Sequence, residues 1–154
     1  MRKILGVLKS QKGISTLITT LFIAPVLLFF CFCIVPFLVF HMKYEKLLTV
    51  TNQTLKEAEA VGHVNNTVIQ NANAKLSAIG MSSVVINGVT YPNYSGSTTT
   101  KVMRNGTNPT VVVQIKYPAP NLSRVLLALG GSGSSSENEG FFVITLYGRS
   151  EAYN

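Results

Sequence analysis

The sequence contains no aspartate and no tryptophan, and only two cysteines and two histidines among its 154 residues. Charge is scarce too: Lys, Arg and Glu make up 12% of the chain, about half the usual share. Each shortage removes a class of function. Two cysteines cannot build a disulfide scaffold. Without Asp, and with Glu137 and Glu139 in a Gly/Ser-rich stretch, there is no oxygen cluster suited to calcium. His41 and His63 stand apart from each other and from other ligand types, so neither a metal centre nor a general base is expected. The serines have no base beside them. GGSGSSS at 130–136 lacks the Lys-Ser/Thr ending of a phosphate loop. A low charge content and positive mean hydropathy also exclude a disordered tail. The expectation is a protein that is not an enzyme and takes no cofactor or metal.

What charge there is leans basic, with 13 Lys and Arg against 6 Glu, a formal net charge of +7. A basic chain raises the question of nucleic acid, and the answer depends on where the charge lies. Four of the cations, Arg2, Lys3, Lys9 and Lys12, precede everything else. The remaining nine are spread among six Glu, a net +3, with no basic stripe interleaved with aromatics. Nucleic acid is not an expected partner.

The most prominent positive feature is a run from Gly13 to Met42 without a single Lys, Arg or Glu. Its 27-residue core, ISTLITTLFIAPVLLFFCFCIVPFLVF at 14–40, would span about 40 Å as a helix, against a hydrocarbon thickness of about 30 Å. It is too long for a signal-peptide apolar region, and no small-x-small cleavage site follows. One transmembrane helix over 14–42 is expected, with the lipid bilayer as a partner. The acid-free basic flank before it and the mixed Lys43, Glu45, Lys46 flank after it place the N-terminus in the cytoplasm and residues 43–154 outside. RVLLAL at 124–129 and FFVITLY at 141–147 are too short to return the chain. Pro25 and Pro36 each remove a helix hydrogen bond and are candidate kinks. Thr16, Thr19 and Thr20 can return hydroxyl bonds to carbonyls one turn back. Cys31 and Cys33, two apart, point to different helix faces and are not expected to pair.

Beyond the membrane the period of the pattern changes twice. Tyr44, Leu48, Thr51, Leu55 and Ala58, with Val61, recur at helical spacing and predict a helix over 43–61 that Gly62 ends. Asn65 or Asn66 then caps a second helix, about 66–79, with Val68, Ala72, Leu76 and Ile79 on one face and Gly80 as its stop. Ser83–Ile86, Asn87-Gly88 and Val89–Tyr91 read as a hairpin. Thr100–Arg104 leads to a second Asn-Gly at 105–106. Thr110–Tyr117 is the strongest strand, closed by Pro118 and Pro120. Residues 121–129 suit either a strand or a short helix, 130–140 read as a flexible loop, and 141–149 as a final strand. The fold class is α+β: a long N-terminal transmembrane helix running into a helical stalk, a second short helix, then a small antiparallel sheet of about four strands covering the amphipathic helices. Five Asn-x-Ser/Thr sequons, at 52, 65, 93, 105 and 121, are compatible with glycosylation without establishing it.

The junction LKSQKGISTLITTLFIAP, in which a basic leader ends at Lys12-Gly13 and the apolar run begins at Ile14, resembles the class III leader of type IV pilins and pseudopilins. The resemblance implies a cut by a membrane-embedded prepilin peptidase between Gly13 and Ile14, with Lys12, Gly13 and Ile14 as the processing residues. Major pilins usually carry Glu at the fifth position after the cut, and here that residue is Ile18. A minor pseudopilin fits this difference better than a major filament subunit. Proline about 22 residues into the helix is a family habit, and Pro36 lies one residue beyond. The chain looks closest to short TadE-like pseudopilins of Gram-positive bacteria, through KEAEAVGHVNNTVIQNANAKL at 56–76, Tyr117-Pro118, and the closing Gly148, Arg149, Ser150, Glu151, Ala152, Tyr153.

The expected organisation is therefore a basic leader (1–13), a transmembrane helix (14–42), a helical stalk (43–80) and a small extracytoplasmic β domain (81–154). The resemblance implies a structural subunit of a type IV or tight-adherence-like pilus or secretion assembly. Its partners would be the prepilin peptidase and other pilin-like subunits or assembly-platform proteins, with Ile18, Pro25 and Pro36 on the assembly helix. The alternative is an uncleaved single-pass anchor whose outer domain binds an envelope or secretion-system partner.

Overall fold

The computed structural model describes residues 11–120 and 140–153. The expectations for the basic flank at residues 2–9, for 121–129 and for the loop up to residue 139 lie outside them, as do the side chains of residues 11–15, 17 and 33. Two helices and four strands follow in order: α1 (Gln11–Val61), α2 (Asn66–Ala78), β1 (Val84–Ile86), β2 (Val89–Tyr91), β3 (Thr110–Ala119) and β4 (Gly140–Arg149). The chain divides into two compact units with the boundary between Leu38 and Val39.

Helix α1 is continuous through Pro25 and Pro36. Each proline leaves the carbonyl four residues before it, on Leu21 and Phe32, without its helical donor. Thr20 Oγ1 donates to Thr16 O at 2.9 Å, the back-bond its position predicts.

In the second unit the helix buries one face. Leu47, Val50, Thr51, Thr54, Leu55 and Ala58 are buried, Leu48 is half-buried and Tyr44 remains exposed. The buried face is thus rotated slightly from the expected stripe, toward Leu47 and Thr54. Hydropathy misses Thr54 because its hydroxyl is hidden by donating to Val50 O (2.8 Å), as Thr51 does to Leu47 O (2.7 Å).

Helix α2 begins at an Asn65 cap, whose side-chain oxygen accepts from Val68 N at 2.9 Å. It ends in a Schellman turn: Met81 N–H donates to Leu76 O (2.9 Å) and Gly80 N–H to Ser77 O (3.1 Å), with Gly80 at φ +80. Val68, Ala72 and Leu76 are its buried residues.

The expected sheet of about four strands is instead two antiparallel pairs, β1–β2 and β3–β4. The hairpin turns on Asn87 (φ 51) and Gly88 (φ 78), the left-handed pair that a two-residue loop requires. A single bridge, Asn93 with Lys116, links the segment after β2 to β3. Thr100–Arg104 forms no strand, and the second Asn-Gly lies in a turn closed by Gly106 N–H to Met103 O (3.0 Å).

Strand β3 runs through Pro118 to Ala119 rather than stopping at Tyr117. The amides of Val112, Gln114 and Lys116 point away from β4, to Thr98 Oγ1, Ser97 Oγ and Asn93 O. By the same alternation the donor that Pro118 lacks belongs on that outer edge, so the ladder with β4 is intact. Val111, Val113, Ile115 and Tyr117 alternate inward and meet Phe142 and Ile144 of β4 and the buried residues of both helices in one core.

Candidate functional site

Between Ile18 and Met42 every described large apolar side chain is exposed except Phe40, which is half-buried. Exposure reaches 71% at Leu21 and 70% at Phe22 and includes Ile18 at 50%. The run is apolar on all sides, which distinguishes it from the one-sided burial of residues 47–58. Each such side chain in water forfeits about 1.5–3 kcal/mol relative to burial. This is one helix long and apolar enough to cross a membrane. Pro25 is exposed and Pro36 half-buried within it, and the backbone of Lys12, Gly13 and Ile14 lies in its first turn. Cys31 is a free, exposed thiol.

A second constellation forms where α1 ends. Helix ends leave carbonyls without donors, and here distant segments supply them. Gly62 N–H closes on Ala58 O (2.7 Å), and Glu151 N–H donates to Glu59 O (2.8 Å). Val102 N–H donates to Gly62 O (2.9 Å). Ser150 ties the neighbouring segments together: its N–H donates to Pro109 O (2.7 Å) and its hydroxyl to Val102 O (2.6 Å). Arg104 N–H donates to Ala152 O (2.9 Å), and the Arg104 guanidinium lies 5.3 Å from the Tyr153 ring centre.

The Lys56–His63 part of the helical motif and the closing run Gly148–Tyr153 therefore meet in one clasp. Glu59 is its least foreseeable member. Its side chain is nearly buried, pairs with Lys56 at 2.8 Å, and occupies the space that a Cβ on Gly148 would fill. The one signal for it in the sequence is a glycine inside an otherwise apolar strand, which marks a close approach.

Other polar groups make local contacts. His41 Nε2 is 3.9 Å from Glu45, and His63 Nδ1 is 3.4 Å from Val61 O. Among the described residues no three His, Cys or Glu are grouped to hold a metal. Tyr94 donates to Asn73 Oδ1 (2.8 Å), and burial raises its phenol above the ordinary value. A groove of about 410 Å³ between α1 and α2 has Val50, Ala78 and Ile79 in its wall, with Lys46 and Lys75 also lining it.

Glu57 joins the two helices through Lys75 and through Asn71 Nδ2 (3.0 Å). The Lys75 hydrogen bond, and then that of Asn71, hold its carboxyl below the ordinary 4.5 against the opposing effect of burial. A carboxyl lowered in the folded state contributes stability above its unfolded value and loses it as pH falls through the folded one. Both side chains are about one-third exposed, so the pair contributes no more than about 1 kcal/mol. Urea midpoints should show Glu57→Gln slightly less stable than the unaltered chain at neutral pH, with the gap closing as pH falls below 4.5. A gap independent of pH would assign the contribution to packing.

Comparison with protein-family models, with curated proteins and with solved structures finds no match.

Proposed function

We propose that this chain is a minor, TadE-like pseudopilin: a structural subunit of a type IV or tight-adherence-like assembly, held in the membrane by α1. The N-terminus lies in the cytoplasm and the clasped α+β unit outside. The observation that carries the reading is the exposure of the large apolar side chains described from Ile18 to Met42, all but Phe40, in a charge-free run that begins directly after Lys12. Such a surface needs lipid or other apolar helices around it, and a pilin exchanges the first for the second on assembly. Ile18 supplies no carboxylate to a neighbouring amine, which suits a minor subunit. It also favours a second reading, an uncleaved anchor presenting a binding module.

Mass spectrometry of the membrane-extracted protein, produced beside an active prepilin peptidase, separates the two. Cleavage leaves a chain starting at Ile14, 141 residues once the 13 of the leader are gone from 154. Gly13→Val should retain the leader, because a branched side chain crowds the scissile carbonyl. A chain still beginning at Met1 or Arg2 would overturn the processing role of Lys12, Gly13 and Ile14. Crosslinking through Cys31 should then join like subunits if the helix packs in an assembly. A single foreign partner crosslinked to the outer unit would favour the module.

A further inference from the structure

The β1–β2 hairpin is sparsely covered: of its six strand residues only Tyr91, at its base, is buried. Val84 and Val85, neighbours that point to opposite sides, are 39% and 65% exposed, and Val89 on the paired strand is 40% exposed. Strand β3 behaves in the ordinary way, with Val111, Val113 and Ile115 fully buried. A two-stranded hairpin is marginal in water, and exposed strands are normally blunted with charge. Here no charged residue occurs from Leu76 to Thr100.

The base of the hairpin shows where it sits in its unit. Tyr117 Oη donates to Ser82 O (2.8 Å), two residues before β1, and Tyr91 at the end of β2 stacks on Phe141 at 5.0 Å. The next residue, Phe142, packs on Phe40 (4.8 Å) and Tyr44 (5.8 Å) of α1. Phe40 lies in the last turn of the charge-free run, which ends at Met42. The hairpin base is thus fixed to the end of β4 that meets α1 where its charge-free run stops. On the same end, Phe141 and Val143 face outward at 40% and 52% exposure, and Lys116 Nζ sits 4.3 Å from the Phe141 ring centre. Apolar side chains, an aromatic ring and a lysine able to extend its ammonium toward water are the composition of a membrane–water interface.

We infer that the β1–β2 hairpin, with Phe141 and Val143, rests on the extracytoplasmic surface of the bilayer that α1 crosses. The inference rests on the reading of α1 as a membrane span. A few valines would not hold a free protein to lipid, but the helix makes the contact intramolecular, so a weak apolar surface suffices. Apolar faces at this boundary enter by roughly 5–10 Å, a depth suited to a hairpin with a polar Asn-Gly tip.

The full chain in phosphatidylcholine–phosphatidylglycerol liposomes tests this. In a Cys31→Ser, Cys33→Ser background, one fluorophore is placed by Val85→Cys, Tyr147→Cys or Phe30→Cys, and quenching is read with lipids spin-labelled at shallow or deep positions. Tyr147 is 70% exposed at the far end of β4 and serves as the dry reference. Val85 should be quenched by shallow labels several-fold more than Tyr147, and Phe30 by deep ones. Val89→Cys repeats the reading from the paired strand if Val85→Cys misfolds. Equal quenching at Val85 and Tyr147, with Phe30 quenched, overturns the hairpin contact and leaves the span intact. No quenching at Phe30 removes the span, and the inference falls with it. A Val85 label shielded from lipid and from aqueous iodide, increasingly so at high protein-to-lipid ratio, means another copy covers the hairpin and also overturns it.

Discussion

Gly62→Ala should cost the unit beyond Leu38 about 2–5 kcal/mol, a large part of the 5–15 kcal/mol typical of a domain. Two effects add. Gly62 has φ +84, where a Cβ costs about 1–2 kcal/mol. That Cβ would also overlap the Val102 carbonyl oxygen and lie 2.9 Å from Ala152 Cβ and 3.1 Å from Ser150 Oγ. Overpacking of this kind costs about 1–3 kcal/mol, and the neighbours cannot yield because they are clasp backbone and its buried serine. Gly80→Ala separates the terms: Gly80 has φ +80 but nothing within 4 Å of the added atom. It should lose only the strain, about 1–2 kcal/mol. Urea unfolding of the full chain in micelles, followed by proteolysis, measures both. Equal losses at 62 and 80 would mean that the close approach at Gly62 relaxes freely and that the clasp does not hold the helix end.

The clasp also shows where reading the sequence stops. Local signals place the elements well: Asn65 caps α2, Gly80 stops it, Asn87-Gly88 turns the hairpin, and Gly62 ends α1. Each acts through its own backbone and immediate neighbours. Non-local pairing is not written in such signals. The hairpin and the β3–β4 pair read alike as antiparallel strands, yet they form separate sheets joined at Asn93 and Lys116. Pro118 reads as a strand end because the missing donor is visible, whereas the edge it faces is not. Glu57 and Glu59 look equivalent on a helix of mixed polarity. One bridges to α2 on the surface, and the other is enclosed under Gly148. Of the candidate functional surface, the apolar run is fully legible, since thirty consecutive residues without charge leave few alternatives. The exposed hairpin is not, because VVINGVTY would read the same with its valines in a core.

Leu47→Ala tests the division of labour within α1. Leucine and alanine are both strong helix formers, so the change leaves helix propensity almost untouched and reads packing alone. Leu47 is fully buried in the core that joins α1 to β3 and β4. Its truncation should destabilise that unit by about 2–5 kcal/mol, the range for a buried leucine whose cavity only partly collapses. Phe30→Ala, on a side chain 56% exposed, should leave the urea midpoint of the same unit unchanged although more atoms are removed. The two residues lie on one continuous helix, but their surroundings differ: protein covers the first, and lipid or a neighbouring apolar helix is the proposed cover for the second. Circular dichroism adds the decisive contrast. On melting, Leu47→Ala should lose the β3–β4 pair and α2 early while the apolar part of α1 stays helical, because that part owes nothing to the core. If Leu47→Ala instead unwinds the whole helix in one step, the apolar run depends on the unit beyond Leu38 and cannot serve as an independent membrane or assembly element.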